Sequence, residues 1–152
     1  MTPPRVAVLG AGILGSSLAL FLARSGARVT LHDKADEPMA ATSRWNEGKI
    51  HLGYLYGADA SLRTARHILP GGLGFAPLMS QLIDAPLHAT TSDDTYLIHR
   101  DSVVGADRVR VQFDAVSELV RHHPDAARYL VAVSGARATA LPSSELAAIA
   151  GD

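Results

Sequence analysis

Three glycines, Gly10, Gly12 and Gly15, stand at the spacing G-x-G-x-x-G within MTPPRVAVLGAGILGSSLALFLARSG, and an acid, Asp33, follows eighteen residues after the last of them. That spacing suits a nucleotide diphosphate. Gly10 permits a tight turn out of a preceding strand, Gly12 lets the backbone approach a pyrophosphate, and Gly15 lets a following helix lie close on the strand. The free N–H groups and positive dipole end of that helix then meet the phosphate charges. Asp33 is placed to accept hydrogen bonds from ribose hydroxyls; a solvated acid at a strand end is the plainer alternative.

The elements that must hold these residues are legible around them. Val6 to Leu9 is an apolar burst that reads as a strand. A helix-like stretch follows, with Ala19 four residues after Gly15, Leu22 on its sheet-facing side and Gly26 at its end. Arg28 to Asp33 (RVTLHD) reads as a second strand in which Val29, Leu31 and Asp33 alternate. The eighteen residues from Val6 to Ala23 carry no charge, and Arg5 precedes them, so a membrane span or an export signal must be weighed. The glycine spacing and the acid-ended second strand argue instead for a buried Rossmann-like βαβ unit.

The chain has 152 residues, enough for one domain that buries roughly two thirds of its unfolded surface. Fourteen basic and fifteen acidic residues nearly balance, without a basic stripe, and aromatic residues are few, so nucleic-acid binding is not expected. The absence of cysteine excludes a disulfide scaffold, a thiolate nucleophile and a cysteine metal site, and makes the cytoplasm the default location. The seven histidines form no metal site on paper. His122 and His123 are adjacent and point apart on a helix, while His51, His67, His88 and His99 lack a close partner at ligand spacing.

Beyond Asp33 the pattern changes. Residues 34–60 show no sustained period but contain the only Trp and two of the four Tyr, the profile of a functional loop. Ser61 to Ile83 reads as a helix broken or kinked at Pro70-Gly71-Gly72. Thr95 to His99 reads as a strand. Arg108 to His122 carries Val109, Phe113, Val116 and Val120 at helical spacing and is stopped by Pro124, and the tail LPSSELAAIAGD reads as a short helix capped by Ser143 or Ser144. The expected fold class is α/β: a βαβ unit with an incomplete parallel sheet, further helices, and a short β segment from a second layer. Two strands cannot complete a parallel sheet, so the chain is expected to be the front part of a larger protein.

The stretch SRWNEGKIHLGYLY, residues 43–56, together with the glycine fingerprint, resembles the D-amino-acid-oxidase-like superfamily of FAD-dependent oxidoreductases. The likeness is greatest to L-2-hydroxyglutarate dehydrogenases and more distant to FAD-dependent glycerol-3-phosphate dehydrogenases. Ser43, Asn46, Ile50, His51, Gly53 and Tyr56 fall on that family's loop positions, and Ser61 and Leu62 continue the likeness; Glu47 and Lys49 depart from it.

The resemblance implies FAD as cofactor. Gly10, Ala11, Gly12, Ile13, Leu14 and Gly15 would serve the pyrophosphate, Asp33 and Lys34 the adenosine side, and Ser43 and Arg44 the pyrophosphate or ribityl side. Asn46, Gly48, Lys49, Ile50 and His51 would pass near the isoalloxazine ring. His51 would be a proton acceptor or a point of flavin attachment, or a hydrogen-bonding histidine of the loop; Lys49 would be a charge near the ring or a solvated side chain. Residues 1–83 would form the flavin-binding region and 84–152 the start of a substrate or cap region. The expected activity is oxidation of a small-molecule CH–OH or CH–NH substrate, a hydroxy acid or amine, by hydride transfer to FAD. A nicotinamide-dependent domain and an inactive, truncated nucleotide-binding fragment are the rivals, and the loop at 43–56 argues against the first.

Overall fold

The computed structural model describes residues 2–46, 48–90 and 92–150. Among them the order is β1 (Arg5–Leu9), α1 (Ile13–Arg24), β2 (Arg28–His32), α2 (Arg63–Leu73), α3 (Phe75–Leu82), α4 (Ala106–Arg121) and α5 (Ser143–Ala150), with 3₁₀ turns at Thr42–Trp45, Tyr54–Tyr56 and Ala126–Arg128. The chain divides into two compact units, residues 1–50 with 77–86, and residues 51–76 with 87–152. The sequence boundary after residue 83 falls inside the segment 77–86 that groups with the first unit.

In the first unit β1 and β2 pair in parallel, in register from Arg5 with Arg28 to Leu9 with His32. Exposure alternates along both strands: Val6, Val8, Val29 and Leu31 are the covered positions, as one-sided packing of a period-two element requires. This is the expected α/β arrangement with a two-stranded parallel sheet. At about 1.5 Å per residue α1 is roughly 18 Å long, well short of the ~30 Å of a bilayer core. No helix among the described residues is long and apolar enough to cross a membrane.

The end of α1 shows why its sequence stops there. Gly26 takes φ +89, its N–H donates to the Ala23 carbonyl at 3.0 Å, and the Ala27 N–H donates to the Leu22 carbonyl at 3.0 Å. That pair of bonds is the Schellman termination, which needs a left-handed residue and so favours glycine.

The core of the second unit is built from Ala65, Leu69 and Leu73 of α2, Val116 and Val120 of α4, and Val133. The expected break at Pro70-Gly71-Gly72 does not occur: α2 runs through it and ends at Gly74. Pro70 removes one backbone bond, at a cost of ~3 kcal/mol in isolation, but Leu69 and Leu73 are completely buried on one face. Burying two leucines contributes roughly 3–6 kcal/mol, enough to hold the helix across the proline. The break shifts to Gly74, whose N–H donates to the Pro70 carbonyl at 3.0 Å and where a Cβ would lie only 2.9 Å from that oxygen.

Two further expectations fail for physical reasons. Among the described residues Thr95 to His99 forms no strand; Tyr96 is anchored instead edge-on against Phe113, with centroids 4.9 Å apart. At α5 the Glu145 and Leu146 amides both donate to the Pro142 carbonyl, which puts Pro142, and neither serine, at the cap. The α4 stripe is less apolar than its spacing suggests. Val116 and Val120 are fully buried, but so is Ser117, and Gln112 is buried as well. Gln112 Nε2 donates to the Asp59 carbonyl at 2.7 Å, and the Ser117 hydroxyl lies 3.0 Å from that of Tyr54, so neither is buried unpaired.

Asp59 organises the start of α2. Its carboxylate accepts from the Ser61 hydroxyl, from the Ser61 N–H at 3.1 Å and from the Thr64 N–H at 2.9 Å. These bonds, the Ser61 hydroxyl first, hold its pKa at about 2 instead of 3.8. The charged form therefore stabilises the folded unit above pH 3.8, and this contribution is lost as the pH falls toward about 2. Thermal unfolding at about pH 7 and about pH 3 is expected to show the parent losing more stability than Asp59→Asn over that interval, because the variant has no charge to lose. Equal losses would remove Asp59 from the acid-sensitive contacts.

Candidate functional site

The glycine turn sits where β1 hands over to α1. Gly10 takes φ +100, and its N–H donates to the His32 carbonyl at 2.7 Å, tying the turn to the end of β2. Gly15 lies against that turn: a Cβ there would fall 1.8 Å from the Gly10 carbonyl oxygen, so α1 approaches β1 to a distance that only glycine permits. Gly12 is the N-cap of α1 and brings no side chain to cap it. A Cβ at Gly12 would lie 3.2 Å from Ser43 Oγ.

Asp33 stands just past β2 and is turned toward the glycines. One carboxylate oxygen accepts the Ala11 N–H and the other accepts the Ala35 N–H at 2.9 Å. The Ala11 bond is the chief cause that holds its pKa below the ordinary carboxylate value, with Ala35 and Lys34 adding to it. A carboxylate has about four acceptor positions, so two bonds leave room for ribose hydroxyls. Beside it is an open cavity of about 430 Å³ lined by Leu9, Gly10, His32, Asp33, Lys34 and Ala41.

The following segment is fastened back onto the turn. The Met39 N–H donates to the Ala11 carbonyl at 2.8 Å, and the Ile13 N–H donates to Ser43 Oγ at 3.0 Å. Arg44 lies 5.8 Å over the ring of Trp45, which is 80% exposed. Asn46 Oδ1 accepts the Gly48 N–H at 2.8 Å, and Gly48 takes φ +71. Lys49 is exposed and Ile50 half-buried. Glu47 lies outside the described residues.

The first unit thus brings together Gly10 to Gly15, Asp33, Lys34 and Ser43. Leu14 is largely exposed at the start of α1. His51 is half-buried and is the first residue of the second unit. In that unit Gly53 takes φ +114, and a Cβ on it would meet that of Ala65 at 2.7 Å, so the glycine serves packing against α2. Sequence reasoning missed His32 and Ala41 as cavity residues, and Met39 as a clasp on Ala11. Met39 holds φ 59 without being glycine, so no sequence signal marked it.

The residues present fit a dinucleotide. Gly12 carries no side chain, the acid stands beside the cavity, and the first-turn amides of α1 beyond Ile13, whose N–H is held by Ser43, supply donors. Alanine at two glycines separates packing from conformation. Gly10→Ala meets no atom within 4 Å and bears only the cost of its left-handed backbone, about 1–2 kcal/mol. Gly15→Ala drives a Cβ into main chain and is expected to lower the melting temperature more and to abolish nucleotide binding. Equal melting temperatures for the two variants would show that α1 does not rest on Gly10.

No solved structure matches this chain at a significant level. The family described as DAO, FAD dependent oxidoreductase, matches residues 5–126, which take in the glycine turn, Asp33, the loop and α4. With most of its length matched, the chain belongs to the DAO family of FAD dependent oxidoreductases, whose members bind FAD.

Proposed function

We propose that this chain holds FAD at the glycine turn and contributes the flavin-binding part of an oxidoreductase that oxidises a CH–OH or CH–NH carbon of a small hydroxy acid or amine. The observation that carries this is the cavity bordered by Gly10 and Asp33, with the acid already fixed by the Ala11 amide. The flavin, when bound, supplies the acceptor for the hydride.

The chain's own residues bind and orient. The backbone from Gly10 to Gly15, with the first-turn amides of α1 that Ser43 leaves open, serves the diphosphate; Asp33 accepts from the adenosine ribose, and Lys34 adds a positive charge on that side. Ser43 and Arg44 belong to the diphosphate or ribityl side. Asn46, Gly48, Lys49, Ile50 and His51 serve the ring half, with His51 taking the substrate proton; this assignment rests on the likeness of residues 43–56 to the hydroxyglutarate enzymes. The same family membership favours FAD over a nicotinamide cofactor, although an acid at Asp33 suits either ribose.

Titration of the full chain with FAD is expected to give bound-flavin absorbance, with affinity for FAD above that for NAD. Binding of NAD without FAD would overturn the proposal. Asp33→Ala is expected to weaken FAD binding. Because the Asp33 pKa is lowered, the acid stays charged through neutral and mildly acidic solution, so affinity stays flat down to about pH 5 and falls only below the ordinary carboxylate range. A decline in affinity centred between about pH 6 and 7 would assign the controlling proton to a histidine instead.

A further inference from the structure

A helix that begins without a capping side chain leaves its first amides to find acceptors elsewhere. α1 begins this way, at Gly12, and the acceptor for Ile13 comes from thirty residues along the chain: Ser43 Oγ, in the 3₁₀ turn Thr42–Trp45. The same segment is fastened at two more points. The Met39 N–H takes the Ala11 carbonyl, and the Asp33 carboxylate takes the Ala11 N–H. Both peptide groups flanking the Ala11 α-carbon are thereby engaged, and Met39 is held in a left-handed backbone that a non-glycine residue keeps only when its surroundings over-determine it. Gly12 makes the arrangement possible, since a Cβ there would press on Ser43 Oγ at 3.2 Å.

We propose that Ser43 is a positioning residue, a helix cap supplied from outside the helix, which latches residues 33–45 onto the glycine turn in the ligand-free chain. It takes the Ile13 amide out of the set of donors open to a diphosphate and leaves those of Leu14 and Gly15. The loop is therefore set before a ligand arrives, and the binding step is relieved of ordering it. In its consequence for binding the inference rests on the dinucleotide-binding function proposed above; the latch itself does not.

The test uses the full chain as parent, Ser43→Ala, Ser43→Thr, and Gly12→Ala with and without Ser43→Ala. In the ligand-free protein, amide hydrogen exchange at Ile13 is expected to be slow in the parent and in Ser43→Thr, and about tenfold faster in Ser43→Ala, the factor that corresponds to a lost cap. Gly12→Ala is expected to lower the melting temperature less when Ser43 is also alanine, because its clash partner is gone. The dissociation constant for ADP, which carries the diphosphate and the ribose, is expected to rise severalfold in Ser43→Ala and to return in Ser43→Thr. Unchanged Ile13 exchange in a folded Ser43→Ala chain overturns the latch, as does loss of protection in Ser43→Thr. Full additivity of the Gly12 and Ser43 changes overturns it as well. A parent that shows a protected Ile13 amide and ADP binding but no affinity for FAD supports the latch and overturns the flavin proposal alone.

Discussion

The first unit depends on how closely a helix can lie on a strand. The point of contact is Gly15 against Gly10, where a single added carbon would sit 1.8 Å from a carbonyl oxygen. Because the helix can settle to that depth, its N-terminus comes level with the end of β1 and next to the end of β2. The amide of Ala11 then meets the carboxylate of Asp33. The parallel register brings Leu9 opposite His32, so the glycine turn and the acid emerge side by side. The turn's donors, the acid and the cavity all lie at the same end of the sheet because of this one approach, which is the arrangement the proposed dinucleotide site requires.

Around that turn the chain uses main-chain groups more than side chains. Gly10 is tied to His32, Ala11 to Met39 and Ile13 to Ser43, and Asp33 spans Ala11 and Ala35. The donors are all backbone amides, and the side chains that matter are the few acceptors, Asp33 and Ser43, that meet them. The segment after β2 is therefore more than a linker: its course is decided by where it returns to the turn.

The second unit solves a different problem, that of burying helices whose sequence is imperfect for the purpose. α2 contains a proline and two glycines yet stays helical, because Leu69 and Leu73 fill the core from one face. α4 buries a glutamine and a serine, and each has a partner in the segment that precedes α2. The bond from Gln112 to the Asp59 carbonyl joins α4 to the residue whose carboxylate holds the Thr64 amide at the start of α2, so the polar groups inside the core also fix how its helices meet.

The sequence by itself determined the βαβ unit, its glycine turn and the acid at the end of its second strand. These depend on short spacings, such as glycines two and three apart and alternation along five residues, and such constraints act within one turn or one strand. It also determined α4 and its stop before Pro124, for the same local reason. The tertiary structure alone decided the rest. Thr95 to His99 has strand-like residues, yet the folded chain sets Tyr96 against the Phe113 ring and forms no strand there among the described residues. Pro70 marks a break that buried leucines override, and Gln112 and Ser117 are polar residues that turn inward because acceptors and donors await them there. Likewise Met39 and Ser43 reach Ala11 and Ile13 across about thirty residues, a contact with no periodic or compositional trace. The division follows from the range of the forces: propensity and steric spacing are written into neighbouring residues, whereas burial and hydrogen-bond pairing depend on which distant groups the folded chain brings within reach.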